Sequence, residues 1–334
     1  MSTGLTFRGR PEHQFRNFVA LWSVTLKVSL RRMLGRPLVR SWSWTFEMGT
    51  ELLREQMRVM FTMTPPEARA FGDSMSLPAP ALDRVRMSEP VTTPARGRWF
   101  EPRETSGRTL LYLHGGGYAF HGEGYANFVA LVAEATGART FALDYRLSPE
   151  HPHPAQLEDA LAAYRALLAS GVSPSQLAVA GDSAGGHLTL SLVLALRDAG
   201  EPLPAVAMGL CPWTHTGARG ASLTANDPYD WVQGAQAIQF GEWYRAGIPA
   251  DDPRVSPLCA DLRGLPPLVL QAGGREILHD QIVEFADAAK SQGVSVSLQV
   301  WPEMNHDFQA FGPDVLEARE ALANLRTAMQ QWCK

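Results

Sequence analysis

The chain has 334 residues, 45% hydrophobic and 19% charged, enough apolar residue to fill a substantial core in a single α/β domain. Its formal net charge of −4 gives no basis for binding nucleic acid or another polyanion. Three widely spaced cysteines, Cys211, Cys259 and Cys333, match no zinc, redox or disulfide spacing, and there is no P-loop, dinucleotide fingerprint or internal repeat, so neither metal nor cofactor is expected.

The N-terminal stretch, residues 1–84, stands apart. Residues 1–60 hold ten Lys/Arg against four Glu, in contrast to the acidic balance of the remainder. From His13 to Met33 the residues Phe15, Phe18, Val19, Leu21, Trp22, Leu26 and Leu30 recur at the spacing of an amphipathic helix. The uncharged run between Arg16 and Lys27 is ten residues long, too short to cross a bilayer. No convincing small-residue cleavage site accompanies it, so a secretory signal is not expected and the location predicted is cytoplasmic, without stable membrane insertion.

Residues 85–334 alternate strand, turn and helix, the signature of a parallel sheet. Thr109–Leu113 reads as a strand ending in His114-Gly115-Gly116-Gly117. Alone, three glycines make a flexible turn; beside a nucleophile they let backbone N–H groups come close to a reacting atom. Thr140–Leu143 reads as the next strand, followed by Asp144–Pro154, whose prolines forbid a regular helix before about Ala155. Within that loop Arg146 and Glu150 are expected to pair, and His151 and His153 to act as braces or surface groups rather than metal ligands.

The most informative run is Gly181-Asp182-Ser183-Ala184-Gly185-Gly186, set between the apolar Leu177–Ala180 and a helical pattern from His187 to Arg197. A G-x-S-x-G between strand and helix presents a serine hydroxyl on a sharp turn at a helix N-terminus. With Ser183 as nucleophile, the N–H groups of Gly116, Gly117 and Ala184 become the candidate oxyanion donors, each worth about 3–4 kcal/mol to a transition state. His114 is expected to brace that loop by hydrogen bonding.

A serine nucleophile needs a base, and the base an orienting carboxylate. On a sheet of this kind they follow in the order serine, acid, histidine. After the strand Pro267–Ala272 come Glu276 and Asp280; Glu276 lies nearer the strand end, whereas Asp280 is placed to begin or cap the next helix. His306, in the loop after the strand Val294–Val300, is the expected base, with His279 as its competitor. Between Cys211 and Val255 the aromatics Trp213, Tyr229, Trp231, Phe240, Trp243 and Tyr244 mark a second covering element, at about 213–255.

Taken together, these motifs make the chain resemble a bacterial member of the hormone-sensitive-lipase family of carboxylesterases (family IV, α/β-hydrolase fold). The resemblance spans roughly residues 85 to 330. It is carried by His114–Gly117, Asp144–Pro152, Gly181–Gly186, Ser256-Pro257-Leu258, Gly264–Pro267, the Glu276-x-Leu278-x-Asp280 run and His306-x-Phe308. It implies an α/β-hydrolase with a central, mostly parallel sheet, a mainly helical cap built from residues 1–84, and the triad Ser183, Glu276 and His306. Members carry aspartate or glutamate at the acid position. Asp307, however, stands where a small or apolar residue is expected.

The activity implied is hydrolysis of small to medium acyl esters through an acyl-enzyme. Lactones, carbamates and activated amides are competing substrates, and a catalytically silent receptor on the same scaffold is disfavoured by the full set of triad residues. Tyr118, Phe120, Trp213, Trp231 and Phe308 are the candidate pocket residues. The expected partner is a small-molecule ester or lactone, and a homodimer is compatible with the sequence. For the N-terminal helices a cap over the site is expected rather than a position on a membrane surface.

Overall fold

In the computed structural model, which describes residues 4–122 and 124–334, eight strands form one sheet: β1 (Val85–Met87), β2 (Gly97–Pro102), β3 (Thr109–Leu113), β4 (Arg139–Leu143), β5 (Leu177–Asp182), β6 (Val206–Leu210), β7 (Leu268–Gly273) and β8 (Val296–Trp301). Their spatial order is β8-β7-β6-β5-β3-β4-β2-β1; β1 and β2 are antiparallel to their neighbours and every other pairing is parallel. The central strands β3, β5, β6 and β7 are buried at every position, which is why they read as unbroken apolar runs.

Alternate side chains feed different layers. Leu110, Tyr112, Ala178 and Ala180 pack with α4 (Tyr125–Thr136) and the C-terminal helix Leu316–Trp332, while Leu111, Leu113, Leu177 and Val179 pack with α5 (Ala155–Ala169) and α6 (Ser183–Asp198). The register then sets the site. Leu113 lies opposite Gly181, Asp182 opposite Leu210, and Gly273 opposite Trp301, so the loops leaving β3, β5, β6, β7 and β8 emerge at one edge of the sheet.

The N-terminal stretch folds as α1 (Pro11–Met33), α2 (Trp44–Met60) and α3 (Pro65–Gly72). Its helix α1 is placed as the periodicity predicts, but it turns the opposite face inward. His13, Asn17, Ala20, Val24 and Val28 are buried, whereas of the predicted stripe only Leu21 packs inward and Phe15, Phe18, Val19, Trp22, Leu26 and Leu30 face outward. The inner face wins through polar ties and close small-residue packing. Asn17 donates to Ser74 Oγ at 2.7 Å and accepts from Gln56 at 3.2 Å, and the Glu47 and Glu51 carboxylates of α2 take Arg32, Arg31 and Lys27.

Helix α2 and the residues before it tie the N-terminal stretch to the segments around His306 and Asp230. Trp42 Nε1 donates to the Glu303 carbonyl at 2.6 Å, Asn305 donates to Thr50 Oγ1 at 2.9 Å, and Arg54 reaches the carbonyls of Asp227 and Asp230. The expected Arg146–Glu150 pair does not form. Arg146 meets Asp159 and Glu158 on α5, and Glu150 meets Arg69 of α3, because the turn between them aims the two side chains at different helices. Arg69 also donates to the carbonyls of Ala119 and Ser148, so α3 holds the glycine loop from above.

Phe46, 2% exposed, lies edge-on to Trp42 at 4.9 Å and against Phe311 at 4.4 Å, joining α2 to the segment after His306. Phe46→Ala is expected to destabilise the protein by about 3–5 kcal/mol, seen as a lower urea midpoint at unchanged slope. A midpoint equal to that of the wild type would show that this contact bears no load.

Candidate active site

Ser183 leaves β5 with φ 53°, a left-handed backbone that a residue with a Cβ adopts only when its surroundings enforce it. The surroundings are tight. A Cβ on Gly181 would run into the Gly185 backbone, and one on Gly185 into the carbonyls of Leu113 and His114. Glycine is needed at both positions, and the Ser183 side chain is left partly exposed between the buried Asp182 and Ala184.

His306 stands five residues beyond β8 and Glu276 three beyond β7. Ser183 Oγ lies 2.8 Å from His306 Nε2, and His306 Nδ1 lies 2.7 Å from Glu276 Oε2. A carboxylate only accepts, so Nδ1 carries the proton and the Nε2 lone pair faces the serine hydroxyl. The other Glu276 oxygen accepts from the Gly273 N–H at 2.8 Å, which fixes the carboxylate plane. Glu276 and His306 are almost wholly buried. Chemically, the arrangement can take a proton from the hydroxyl and hold the resulting imidazolium. The rival residues lie elsewhere in function: Asp280 accepts from the Ser222 N–H at 2.9 Å, and His279 begins the helix His279–Ser291.

Two carboxylates around this triad were not singled out from the sequence. Asp230 accepts from the backbone N–H groups of Ile277 at 2.7 Å, Trp231 at 2.8 Å and His306 at 3.3 Å, tying together the Glu276 loop, the His306 loop and its own segment. Burial pushes its carboxyl up to about 7, against the pull of His306. Asp182 accepts from Tyr112 OH at 2.7 Å, Tyr125 OH at 2.6 Å and the Gly115 N–H at 3.1 Å. Burial raises its carboxyl as well, with the two tyrosine hydroxyls acting in the other direction. Its place in the Gly181–Gly186 run was the available signal; Asp230 had none.

Asp307 is the unusual neighbour. It is 4% exposed, at φ 50°, with Oδ2 3.3 Å from His306 Nε2, and its other oxygen has no hydrogen-bond partner among the described residues. Burial pushes the Asp307 carboxyl well above the usual carboxylate range. Burial alone would lower His306, but the carboxylates of Asp307 and Glu276 outweigh it and raise the imidazole above its ordinary value. Each group thus favours the charged form of the other, the Asp307 carboxylate raising His306 and the imidazolium lowering Asp307.

On the glycine loop, Gly116 and Gly117 have φ of 95° and 60°. Their N–H groups meet no backbone acceptor among the described residues, while the Gly116 carbonyl accepts from Ala119 and Phe120. The N–H of Ala184, in the first turn of α6, has no intrahelical partner to lose. His114 braces this loop as expected. Its Nδ1 lies 2.7 Å from the Gly115 carbonyl and its ring is stacked between Tyr145 and His121, and burial lowers its pKa well below the ordinary value, so it is neutral.

The five candidate pocket residues divide. Trp231 is half-buried, its ring 5.6 Å from that of His306 and its Nε1 donating to the His306 carbonyl at 2.6 Å. Phe120 joins an aromatic group with Phe61, Phe240 and Trp243, and the Phe240 ring occupies the space a Gly117 Cβ would need. Three are corrected. Tyr118 is fully buried, with its hydroxyl 2.6 Å from His187 Nδ1 and its ring stacked on Tyr244. Phe308, also fully buried, packs on Trp301 in the cluster beneath the His306 loop. Trp213 is buried with its ring against His187, and its backbone N–H donates to the Ser183 carbonyl at 3.0 Å. In each case a polar tie or a packed core claims the side chain. Phe61, at the end of α2, was missed; nothing near it in the sequence marks it as a neighbour of Phe120.

Among the described residues, two His/Cys/carboxylate groupings are close enough to share a metal ion, and one is Cys211 with Glu276 and His306, whose histidine and glutamate are already hydrogen-bonded to each other. The other is His215, Asp251 and Cys259. There the Gly217 N–H donates to Nδ1 at 3.1 Å, so the proton sits on Nε2 and faces Asp251 at 3.0 Å. That tautomer leaves no lone pair directed at a metal.

Residues 110–310 match the alpha/beta hydrolase fold family. An acetyl-hydrolase of Streptomyces hygroscopicus is 42% identical over 242 residues, covering 71% of this chain and 81% of that protein. A carboxylesterase of Mycobacterium tuberculosis is 32% identical over 298 residues, covering 84% and 90%. Among solved structures, an esterase from the bacterial hormone-sensitive lipase family superposes with a TM-score of 0.77 at 36% identity, over 84% of this chain and 97% of that one. With that fold and these relatives, the chain belongs to the bacterial hormone-sensitive-lipase family of α/β-hydrolases and is a hydrolase of carboxylic ester bonds.

Proposed function

We propose that the protein is a serine carboxylesterase acting on small to medium acyl esters through a covalent acyl-enzyme. The observation that carries the reading is the hydrogen-bonded series Ser183 Oγ, His306, Glu276, at 2.8 and 2.7 Å, with the serine on a strained turn at the sheet edge.

His306 Nε2 takes the hydroxyl proton as Ser183 Oγ bonds to the ester carbonyl carbon. The carbonyl oxygen becomes an oxyanion, for which the N–H groups of Gly116, Gly117 and Ala184 are the donors. Protonated Nε2 then gives its proton to the departing alkoxide, and the alcohol leaves an acyl group on Ser183. Water attacks that acyl carbon while giving a proton to Nε2, and the proton returns to Ser183 Oγ as the acid departs. Glu276 keeps Nδ1 protonated and the ring in plane throughout.

The size preference rests on the aromatic group at Gly117. Phe61, Phe120, Phe240 and Trp243 fill the space beside the loop with rings in mutual contact, which suits a short apolar acyl chain. The acetyl-hydrolase name of one relative points the same way.

Hydrolysis of the p-nitrophenyl esters of acetate, butyrate, octanoate and palmitate tests both parts. Acetate and butyrate are expected to be turned over fastest, and Ser183→Ala to lower kcat by about 10⁴-fold or more. Turnover retained in the alanine variant would exclude Ser183 as nucleophile, and a preference for palmitate would exclude the short pocket.

The acid limb of the kcat/KM profile tests the Asp307 pairing. A carboxylate at 3.3 Å stabilises the imidazolium, so the base is neutral only above a raised pKa. Asp307→Asn removes that charge, lowers the pKa of the base and is expected to move the acid limb about one unit to lower pH. A limb that stays in place, or moves to higher pH, would mean that the Asp307 charge does not raise the pKa of His306.

A further inference from the structure

The outward face of α1 carries Phe15, Phe18, Val19, Trp22, Leu26 and Leu30, each between 46% and 68% exposed. Their spacing puts them on one side of the helix over about 22 Å. Scattered apolar residues are ordinary on a protein surface, but a continuous stripe with two phenylalanines and a tryptophan is not.

The charges around the stripe decide what covers it. Between residues 4 and 46 the chain has a single carboxylate, Glu12. Arg16, Arg36 and Arg40 are exposed, as are Arg10 and Lys27, which pair with Glu12 and Glu51, while the α2 carboxylates Glu47 and Glu51 are buried in ion pairs on the inner side of α1. A second copy docked on this face would bring the same arginines against one another. An anionic lipid surface meets both requirements, since the headgroup boundary accepts aromatic and leucine side chains and its phosphates attract the flanking arginines. No helix among the described residues is long and apolar enough to cross a membrane, so the contact is one of lying on the surface.

We propose that the protein docks on anionic lipid bilayers through the outer face of α1, with Phe15, Phe18, Trp22 and Leu26 in the headgroup boundary and the surrounding arginines on lipid phosphates. This proposal is independent of the catalytic assignment above.

Vesicle flotation of the full chain tests it, using phosphatidylcholine vesicles with and without phosphatidylglycerol. Binding is expected to be about tenfold stronger with phosphatidylglycerol and to weaken as salt is raised. The variant Phe18→Ser/Trp22→Ser/Leu26→Ser changes exposed positions only, so it is expected to keep wild-type hydrolysis of dissolved p-nitrophenyl acetate while losing about tenfold or more in vesicle binding. Wild-type protein that fails to float with phosphatidylglycerol vesicles would overturn the proposal, as would a triple variant that floats equally well. A wild-type dimer that the triple variant dissociates, without vesicle binding, would assign the face to a second copy and overturn it too.

Discussion

The His306 imidazole has to reach a hydroxyl on the β5 turn and a carboxylate beyond β7 at once, from a loop with no regular hydrogen-bonding pattern to hold it. Asp230 supplies the constraint. One buried carboxylate accepts the N–H groups of Ile277, Trp231 and His306, so the Glu276 loop, the Asp230–Trp231 segment and the His306 loop share a single anchor. Backbone N–H groups are obligatory donors when buried, and a carboxylate can satisfy several. The desolvation that raises Asp230 to about 7 is the cost of that arrangement. Arg54 of α2 completes it by taking the Asp230 carbonyl, which places an N-terminal helix in the support of the base.

The same logic governs the opposite wall. Asp182 sits directly before Ser183 and accepts the Gly115 N–H, so the turn that carries Ser183 is tied to the loop that carries Gly116 and Gly117. Tyr112 and Tyr125 satisfy the remaining lone pairs. Tyr118 extends the tie to His187 on α6, and His187 in turn meets the Val255 carbonyl at 2.9 Å. Burial lowers His187 to about 3, so it stays neutral and can accept from the tyrosine while donating to the carbonyl. Aromatic residues near a glycine loop thus serve to hold the loop, and only some of them are left to face substrate.

What was legible in the sequence is what local backbone geometry demands. The Ser183 turn needs glycine at 181 and 185 whatever surrounds it, so it appears as a motif, and the strands beside it appear as apolar runs because both their faces are buried. Glu276 and His306 were legible through their positions after strands. Asp230, Phe61 and Arg54 were not, because each acts across a long stretch of chain on partners that only the fold brings near. Tyr118 and Phe308 were misread because proximity in sequence to the glycine loop or to His306 does not say which side of that segment faces the core.

Helix α1 shows how far periodicity reaches. A 3.6-residue spacing establishes that a helix forms and has an apolar side, but which side turns inward depends on what the neighbour offers. Here α2 offers Glu47, Glu51 and Gln56, so α1 presents Asn17, Lys27, Arg31 and Arg32 to it and fills the gaps between with Ala20, Val24 and Val28. The large side chains are left over. Because α1 is fastened to α2 by those ion pairs, and α2 with the preceding Trp42 is joined to the His306 loop through Trp42 and Thr50 and to the Asp227–Asp230 segment through Arg54, a surface that bears on the outer face of α1 bears on the same framework that positions His306.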